Sequence, residues 1–214
     1  GALPFPGCVL VSMAKFNRIL SMDARSRTAR VQPGVRNLAI SEAAAPLGLF
    51  YAPDPSSQIA CSIGGNVAEN AGGVHCLKYG LTVHNILKLE VVTIEGDLLT
   101  IGSGALDAAG YDLMALMTGS EGLLGVVTEV LVKLVPLPEV AKVLMACFDE
   151  VETAAQAVAD IMAAGIVPAG LEMMDGPALR AAEDFAHAGY PKSAAAILLC
   201  ELDGVAADVE EEIA

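Results

Sequence analysis

The sequence predicts an α+β fold in two parts, with the boundary at Pro136 and Pro138. Short β-branched runs and glycine-rich turns precede the two prolines, whereas strand-like and helix-like segments alternate after them. Neither proline can continue a central strand, because proline has no backbone N–H to donate to a sheet. We therefore expect one domain over residues 1–138 and a second over residues 139–214.

The first part combines short strands with two short helices. Glu95-Gly96-Asp97 predicts a tight hairpin turn between two of the strands. Helical spacing of apolar residues predicts one helix from Asn37 to Leu47 and a shorter one from Leu113 to Met117. The predicted strands are Gly7 to Ser12, Thr28 to Gln32, Lys88 to Ile94, Leu98 to Ile101 and Gly125 to Val135.

The second part follows a β-α-β-α-β order, which is typical of the start of a ferredoxin-like unit. Asp149 lies three residues before Glu152, a capping-box spacing that predicts the first turn of the first helix, and Gly165 predicts its end. The acidic residues from Asp208 to Ala214 predict a further helix. The other predicted segments are Val140 to Phe148, Ala169 to Met174, Pro177 to Ala186 and Ala195 to Leu202.

Charge and composition argue against several classes of protein. The formal net charge of −14 and the isoelectric point near 4.4 would repel a phosphate backbone, so nucleic-acid binding is not expected. No apolar run reaches the roughly 18 residues of a membrane-spanning helix, so no transmembrane segment is expected. The five cysteines are widely spaced and contain no C-x-x-C pair, which favours reduced thiols in the cytosol without a zinc site or a disulfide framework.

The segment from Pro53 to Gly80 carries the strongest chemical signal. Two glycine pairs, Gly64-Gly65 and Gly72-Gly73, bracket a short stretch that is long enough for one or two helical turns. Glycine lets a backbone amide approach an anion without a Cβ in the way, and amides at the start of a helix carry partial positive charge. The spacing alone favours equally a cradle for the pyrophosphate of a cofactor and a glycine-rich structural loop.

The order of the motifs resembles a known family. Gln32-Pro-Gly-Val comes first, and Gly119-Ser-Glu-Gly-Leu-Leu-Gly-Val comes last. Between them lie Asp54-Pro-Ser-Ser, Ser62-Ile-Gly-Gly-Asn, Asn70-Ala-Gly-Gly and Lys78-Tyr-Gly. Together they resemble the vanillyl-alcohol-oxidase or PCMH-type FAD-linked oxidase family, and within it the flavin-binding D subunits of bacterial glycolate oxidases. The resemblance implies FAD as the cofactor and a PCMH-type FAD-binding domain followed by the start of a ferredoxin-like cap domain.

The same resemblance implies that the chain is part of a longer protein. Members of the family begin the flavin domain with further strands and an Arg-Gly-x-Gly-type turn, and nothing in this sequence corresponds to them. We therefore expect an FAD-binding domain that is truncated at its N-terminus, and about half of a pyrophosphate cradle. On its own, the chain is expected to be inactive.

The family's cofactor contacts carry over to matching positions of this sequence. The glycine-pair loop is expected to surround the pyrophosphate, and the Pro-Gly-Val element is expected to lie against the cofactor. For Pro33, Ile63 and Val126, ordinary core or turn packing is nearly as good an interpretation. The expected FAD-binding residues are Pro33, Gly34, Val35, Pro53, Asp54, Ser62, Ile63, Gly64, Gly65, Asn66, Asn70, Gly72, Gly73, Tyr79, Gly80, Gly122 and Val126.

The family's chemistry implies oxidation of a 2-hydroxy acid to a 2-oxo acid, with glycolate as the expected substrate. Two alternatives are a lactate-type 2-hydroxy-acid dehydrogenase and a non-catalytic module of the same fold that has lost flavin. No catalytic residue can be identified in these 214 residues. His75, His84 and His187 lack the spacing of metal ligands, so no metal site is expected.

The resemblance also implies partners and a location. Family relatives of this kind work with partner subunits, one of them an iron–sulfur protein, that carry electrons towards membrane quinone. The expected location is the cytoplasm, with at most peripheral association with the inner membrane.

Overall fold

The computed structural model describes residues 4–105 and 110–214. The chain divides into two compact units. The first unit comprises the residues up to Gly73 together with Tyr79–Leu137, and the second comprises Val74–Lys78 together with Pro138–Ala214. The chain therefore enters the second unit for five residues and returns to the first before it enters the second unit again at Pro138.

A five-stranded antiparallel sheet forms the framework of the first unit. The strands of this unit are β1 (Ile19–Asp23), β2 (Thr28–Val31), β3 (Leu49–Phe50), β4 (Ile86–Val92), β5 (Leu98–Gly102), β6 (Val126–Lys133) and β7 (Val135–Pro136). The sheet has the order β1-β2-β6-β4-β5, and β3 and β7 form a separate two-stranded ladder. The hairpin between β4 and β5 turns at Gly96, whose φ of 88° only glycine adopts readily.

Alternate residues of the three inner strands face the core, as expected for a sheet with one buried face. Each of the three strands contributes two residues that are fully buried. These are Ala29 and Val31 of β2, Leu89 and Val91 of β4, and Val130 and Val132 of β6.

Among the described residues, four helices lie between these strands in the sequence, and three of them contribute to the core of the sheet. The helices are α1 (Asn37–Ala44), α2 (Ile63–Glu69), α3 (Cys76–Tyr79) and α4 (Leu113–Met117), and two short 3-10 turns cover Ala45–Leu47 and Thr82–Asn85. The core contacts come from Ile40 and Ala44 of α1, Ile63 and Val67 of α2, and Met117 of α4.

The second unit has a three-stranded sheet with helices between its strands. Its elements are β8 (Val140–Phe148), α5 (Val151–Ala163), β9 (Gly170–Asp175), α6 (Gly176–Ala186), β10 (Ala196–Gly204) and α7 (Ala206–Ile213). β10 lies between β8 and β9 and is antiparallel to both, so β8 and β9 run parallel to each other. This is the split β-α-β arrangement of ferredoxin-like folds, and the α+β prediction is confirmed.

Two local predictions are wrong. The residues from Gly7 to Ser12 form no strand, and Val9 is 88% exposed, because these apolar side chains have no buried face to cover. Asp149 does not cap α5: the N-cap residue is Glu150, which makes no side-chain hydrogen bond to the first turn. α5 therefore begins without a side-chain cap, and Ala154 is its buried residue.

None of the helices in the described part of the chain is long and apolar enough to cross a membrane.

The central strands should account for much of the stability of the first unit. Leu89 is fully buried, so the Leu89→Ala substitution should lower the free energy of unfolding by about 2 to 5 kcal/mol, measured by urea denaturation. Leu98 of β5 is 60% exposed and serves as the control, with an expected change within about 0.5 kcal/mol. Equal losses for the two variants would contradict the assignment of this core.

Candidate cofactor site

A cleft of about 170 Å³ in the first unit brings together three segments that are far apart in the sequence. They are the loop around Pro33, the helix α2, and the segment from Met117 at the end of α4 to Val127 of β6, and Met13 completes the lining. Four of the predicted FAD-binding residues line this cleft: Pro33, Gly64, Gly122 and Val126. Among the residues that the structure describes, none that lines the cleft carries a charged side chain.

Two backbone hydrogen bonds join the Pro33 loop to the start of α2. The Gly64 amide donates to the Pro33 carbonyl at 2.8 Å, and the Ile63 amide donates to the Val35 carbonyl, also at 2.8 Å. A Cβ on Gly64 would lie 2.5 Å from the Cβ of Pro33, closer than real contacts allow. Glycine at position 64 is therefore required for two walls of the cleft to meet.

These hydrogen bonds change the role expected for the start of α2. The amides of Ile63 and Gly64 are already paired within the protein, so they are not free donors for a pyrophosphate. The Gly65 amide points to the Oγ of the N-cap residue Ser62 at 3.4 Å, which is long for a hydrogen bond. A Cβ on Gly65 would meet only that Oγ within 4 Å, so the space beside Gly65 is open.

The other end of α2 is joined to the turn that follows α4. The Gly119 and Glu121 amides donate to the Val67 and Ala68 carbonyls, each at 2.8 Å. Asn70 closes the helix in the left-handed conformation, with a φ of 51°, and its Oδ1 accepts from the Val83 amide at 3.0 Å. These contacts give Asn70 a structural role, and its predicted contact with FAD stays a prediction.

The turn after α4 has an unusual backbone at the wall of the cleft. Gly119, Glu121 and Gly122 have φ values of 82°, 55° and 76°. A side chain in the left-handed region costs roughly 1–2 kcal/mol, so Glu121 is held there by its surroundings. A Cβ on Gly122 would meet nothing within 4 Å, which leaves this wall of the cleft free of side chains.

A second group of predicted residues meets at the other glycine pair. The Asn37 Nδ2 donates to the Pro53 carbonyl at 2.9 Å. A Cβ on Gly73 would come 2.3 Å from the carbonyl carbon of Asp54, so these two backbones are in direct contact. Gly72 is half-buried beside them.

Tyr79 and Gly80 are held by local contacts. The Tyr79 ring packs edge-on against Phe50, with 5.7 Å between ring centroids and 81° between ring planes. Gly80 has a φ of 78°, and a Cβ there would lie 2.7 Å from the Nδ1 of His84. That Nδ1 accepts a hydrogen bond from the Leu81 amide at 3.0 Å, so the imidazole contributes to local structure.

The other predicted apolar contacts belong to the packed core. Ile63 is fully buried and Val35 is 3% exposed, and both belong to the same core as the sheet. Gly34 donates to the Phe16 carbonyl at 2.7 Å, and a Cβ there would lie 2.4 Å from the Met13 carbonyl oxygen. Structural packing explains these three positions without a cofactor.

Two buried polar atoms near the cleft have no hydrogen-bond partner among the described residues. They are the Nδ2 of Asn66 and the Oγ1 of Thr118, whose residues are 3% and 7% exposed. Asn66 precedes the lining residue Val67, and Thr118 follows the lining residue Met117. A buried polar atom without a partner costs about 1–3 kcal/mol, but neither residue lines the cleft itself.

The possible metal ligands and the cysteines lie apart from one another in the described residues. Within residues 4–105 and 110–214, no three His, Cys, Asp or Glu side chains are placed to hold a metal ion. All five cysteines are free thiols, and burial raises the pKa of the Cys200 thiol, which lies outside the cleft.

Sequence reasoning missed part of the cleft wall. Val67 and Ala68 line it beside Gly64, and the spacing of three and four residues along a helix was a usable signal for this face. Ser120 and Gly125 also line it, and both lie inside the Gly119-Ser-Glu-Gly-Leu-Leu-Gly-Val motif.

Two family models match separate stretches of the chain. Residues 2–102 match the FAD binding domain, and residues 137–214 match the C-terminal domain of FAD linked oxidases. The chain belongs to the FAD-linked oxidases. These matches indicate FAD as the cofactor, in agreement with the motifs of the sequence.

Curated relatives of this family are similar over nearly the whole chain. It is 69% identical over 99% of its length to glycolate oxidase subunit GlcD of Escherichia coli strain K12, of which it covers 42%. It is 49% identical over its full length to glycolate oxidase subunit GlcD of Bacillus subtilis, covering 46%. D-lactate dehydrogenase of Anaerostipes hadrus is 33% identical, again with 46% covered. The chain thus spans less than half the length of these relatives.

A solved structure shares the fold. Alkyldihydroxyacetonephosphate synthase superposes with a TM-score of 0.79 at 21% sequence identity, over 94% of this chain and 40% of that one. The likeness supports the fold of the FAD-linked oxidases.

The two neighbouring glycines of α2 should respond differently to alanine. Gly64→Ala should lower the free energy of unfolding by about 1 to 3 kcal/mol, because its Cβ would collide with Pro33. Gly65→Ala has open space and should raise stability by up to about 1 kcal/mol through helix propensity. Urea denaturation measures both, and a loss at position 65 as large as that at position 64 would refute the geometry described.

Proposed function

We propose that this chain supplies FAD-binding and cap segments of an enzyme that oxidises a 2-hydroxy acid to a 2-oxo acid, with glycolate as the substrate. The observation that carries the proposal is the 69% identity to a glycolate oxidase subunit over 99% of this chain. A cleft at the meeting point of three predicted FAD-binding segments supports it independently.

The cleft suits an uncharged part of the cofactor. Gly64, Ala68 and Gly122 present backbone or a methyl group, so a flat ring or a sugar can lie against them. A volume of about 170 Å³ is below the roughly 300–1,000 Å³ of a complete ligand pocket, so we assign only one portion of FAD to this cleft.

The bound cofactor supplies the chemistry of accepting two electrons as the hydroxyl-bearing carbon becomes a carbonyl. We assign no base and no carboxylate-binding arginine to this chain. The stretch from Pro138 to Ala214 has fifteen acidic and three basic side chains, a balance that repels an anionic substrate from most of its surface. Recognition of the substrate carboxylate is therefore not assigned to that surface.

Relatives with other substrates define the alternatives. The D-lactate dehydrogenase of Anaerostipes hadrus is 33% identical, and a D-2-hydroxyglutarate dehydrogenase of Xanthomonas citri is 38% identical over 146 residues. Both identities are well below those to the two relatives named for glycolate. Glycolate is therefore preferred, and lactate and 2-hydroxyglutarate are the comparison substrates.

We also propose that the chain acts in a complex with other subunits. Its relatives in Escherichia coli and Bacillus subtilis are named as subunits, which supports this role. The family resemblance adds an iron–sulfur subunit and a cytoplasmic location with at most peripheral membrane association. Copurification from the source cell, followed by metal analysis of the partners, tests this arrangement.

The substrate assignment is tested in the absence of oxygen with the complete enzyme that contains this chain, called the intact protein below. FAD should bind and give the absorbance bands of a flavoprotein, and glycolate should then bleach the visible band faster than D-lactate or D-2-hydroxyglutarate at equal concentration. If D-lactate bleached the band and glycolate did not, the substrate would be D-lactate and the assignment of glycolate would be wrong. Failure to bind FAD would support a non-catalytic module of the same fold.

A substitution that fills the cleft tests its role directly. Ala68 lines the cleft on α2, so Ala68→Leu should raise the FAD dissociation constant about tenfold or more, measured by fluorescence titration of the intact protein. Ala43→Leu places the same side chain on the exposed face of α1 and should leave the constant unchanged. Equal FAD affinities of the two variants would contradict the assignment of FAD to this cleft.

A further inference from the structure

The five residues Val74–Lys78 link two predicted cofactor segments, yet they belong to the second unit. Gly72-Gly73 precedes them, and Tyr79-Gly80 follows them directly. The segment Gly72–Gly80 is expected to surround FAD. Its middle five residues therefore contact the sheet of the second unit.

The strongest of these contacts is an ion pair at Lys78. Its Nζ lies 2.5 Å from the Oδ1 of Asp203 and also donates to the Asp203 backbone carbonyl. The Asp203 side chain is only 7% exposed, and that of Lys78 is 31% exposed. A carboxylate buried to this degree needs a cation, because an unpaired charge in the interior is strongly unfavourable.

Two further contacts lie beside this pair. The Nε2 of His75 is 3.4 Å from the Oε2 of Glu201. A Cβ on Gly170 would lie 3.1 Å from the Cγ1 of Val74, so glycine at this position lets the segment approach β9. Gly170 and Glu201 are register partners in the sheet, and Asp203 is two residues beyond Glu201 on β10, on the same face.

We propose that His75 and Lys78, docked on Glu201 and Asp203, form a clasp that positions the cofactor loop Gly72–Gly80, and that Lys78 is its principal positioning residue. The inference rests on the proposed function, since it takes the loop to be part of the FAD site. Fixing the middle of a short loop restricts both of its ends, because consecutive Cα atoms are only about 3.8 Å apart. A loop ordered in advance binds its ligand more tightly, because less conformational entropy is lost on binding.

Charge makes this docking specific. Lys78 contacts a stretch of chain, Pro138 to Ala214, that is strongly acidic. Replacing a buried ion pair by apolar residues of similar size is often neutral or stabilising, so we assign this pair to the specificity of docking rather than to stability. The pairing of Lys78 with both a carboxylate and a carbonyl of the same residue suits this role.

The test is hydrogen–deuterium exchange of the intact protein without added FAD. Lys78→Met should speed exchange of the Gly72–Gly80 amides about tenfold or more, because the loop loses its strongest attachment to β10. Lys142→Met is the matched control, since it removes a lysine that pairs with Glu210 in the same unit and lies outside the loop. It should leave exchange in the loop unchanged.

A second variant keeps the test informative if Lys78→Met unfolds the unit. The pair Lys78→Met with Asp203→Asn removes both charges, so no carboxylate is buried alone, and it should still speed exchange in the loop. Unchanged loop exchange in the double variant, with the unit folded, would overturn the clasp.

The FAD dissociation constant then separates the clasp from the proposed function. With a functional clasp, the double variant should bind FAD about tenfold more weakly than the Lys142→Met control. Faster exchange with unaltered FAD affinity would show that the clasp orders the loop without positioning the cofactor, and would overturn that part of the proposal. Absence of FAD binding in the unsubstituted protein would instead refute the proposed function, while the exchange experiment still decides whether the clasp orders the loop.

Discussion

The close approach of the Pro33 loop to the first turn of α2 is the constraint on which the rest of the cleft depends. Two backbone hydrogen bonds and the missing side chain at Gly64 hold these segments together. With its start fixed, α2 presents its last carbonyls to the amides of Gly119 and Glu121, and that contact places the turn after α4. The cleft thus follows from pairing within the backbone, and few side chains are needed to shape it.

The sequence was most informative where one local rule acted alone. The helix Leu113–Met117 and the strand Val140–Phe148 have the predicted bounds, because apolar spacing decides both. The strand at Ile19–Asp23 was missed, since its apolar and polar residues form too short a pattern and its pairing with β2 is a tertiary contact. The run from Gly7 to Ser12 shows the reverse error, because strand propensity without a partner strand gives an exposed segment.

For the cleft, the residue types in the sequence motifs identified the segments that line it, but not the structural role of each residue. The glycines fall into two groups that the sequence cannot separate. Gly64 and Gly73 permit contact between protein backbones, whereas Gly65 and Gly122 leave open space. Ser120 carries no chemical signal of its own, so only the folded arrangement reveals that it lines the cleft. The buried, unpaired amide of Asn66 likewise depends on packing that no sequence pattern records.

The excursion of Val74–Lys78 into the second unit bears on how such proteins can be recombined. A crossover at Pro138 would exchange one cap for another between two domains, yet it would separate Lys78 from the Asp203 with which it pairs. A chimaera made there inherits the lysine from one parent and the carboxylate from the other. The exchangeable unit is therefore discontinuous in sequence. A new cap has to be introduced together with the five residues Val74–Lys78 that pack on it.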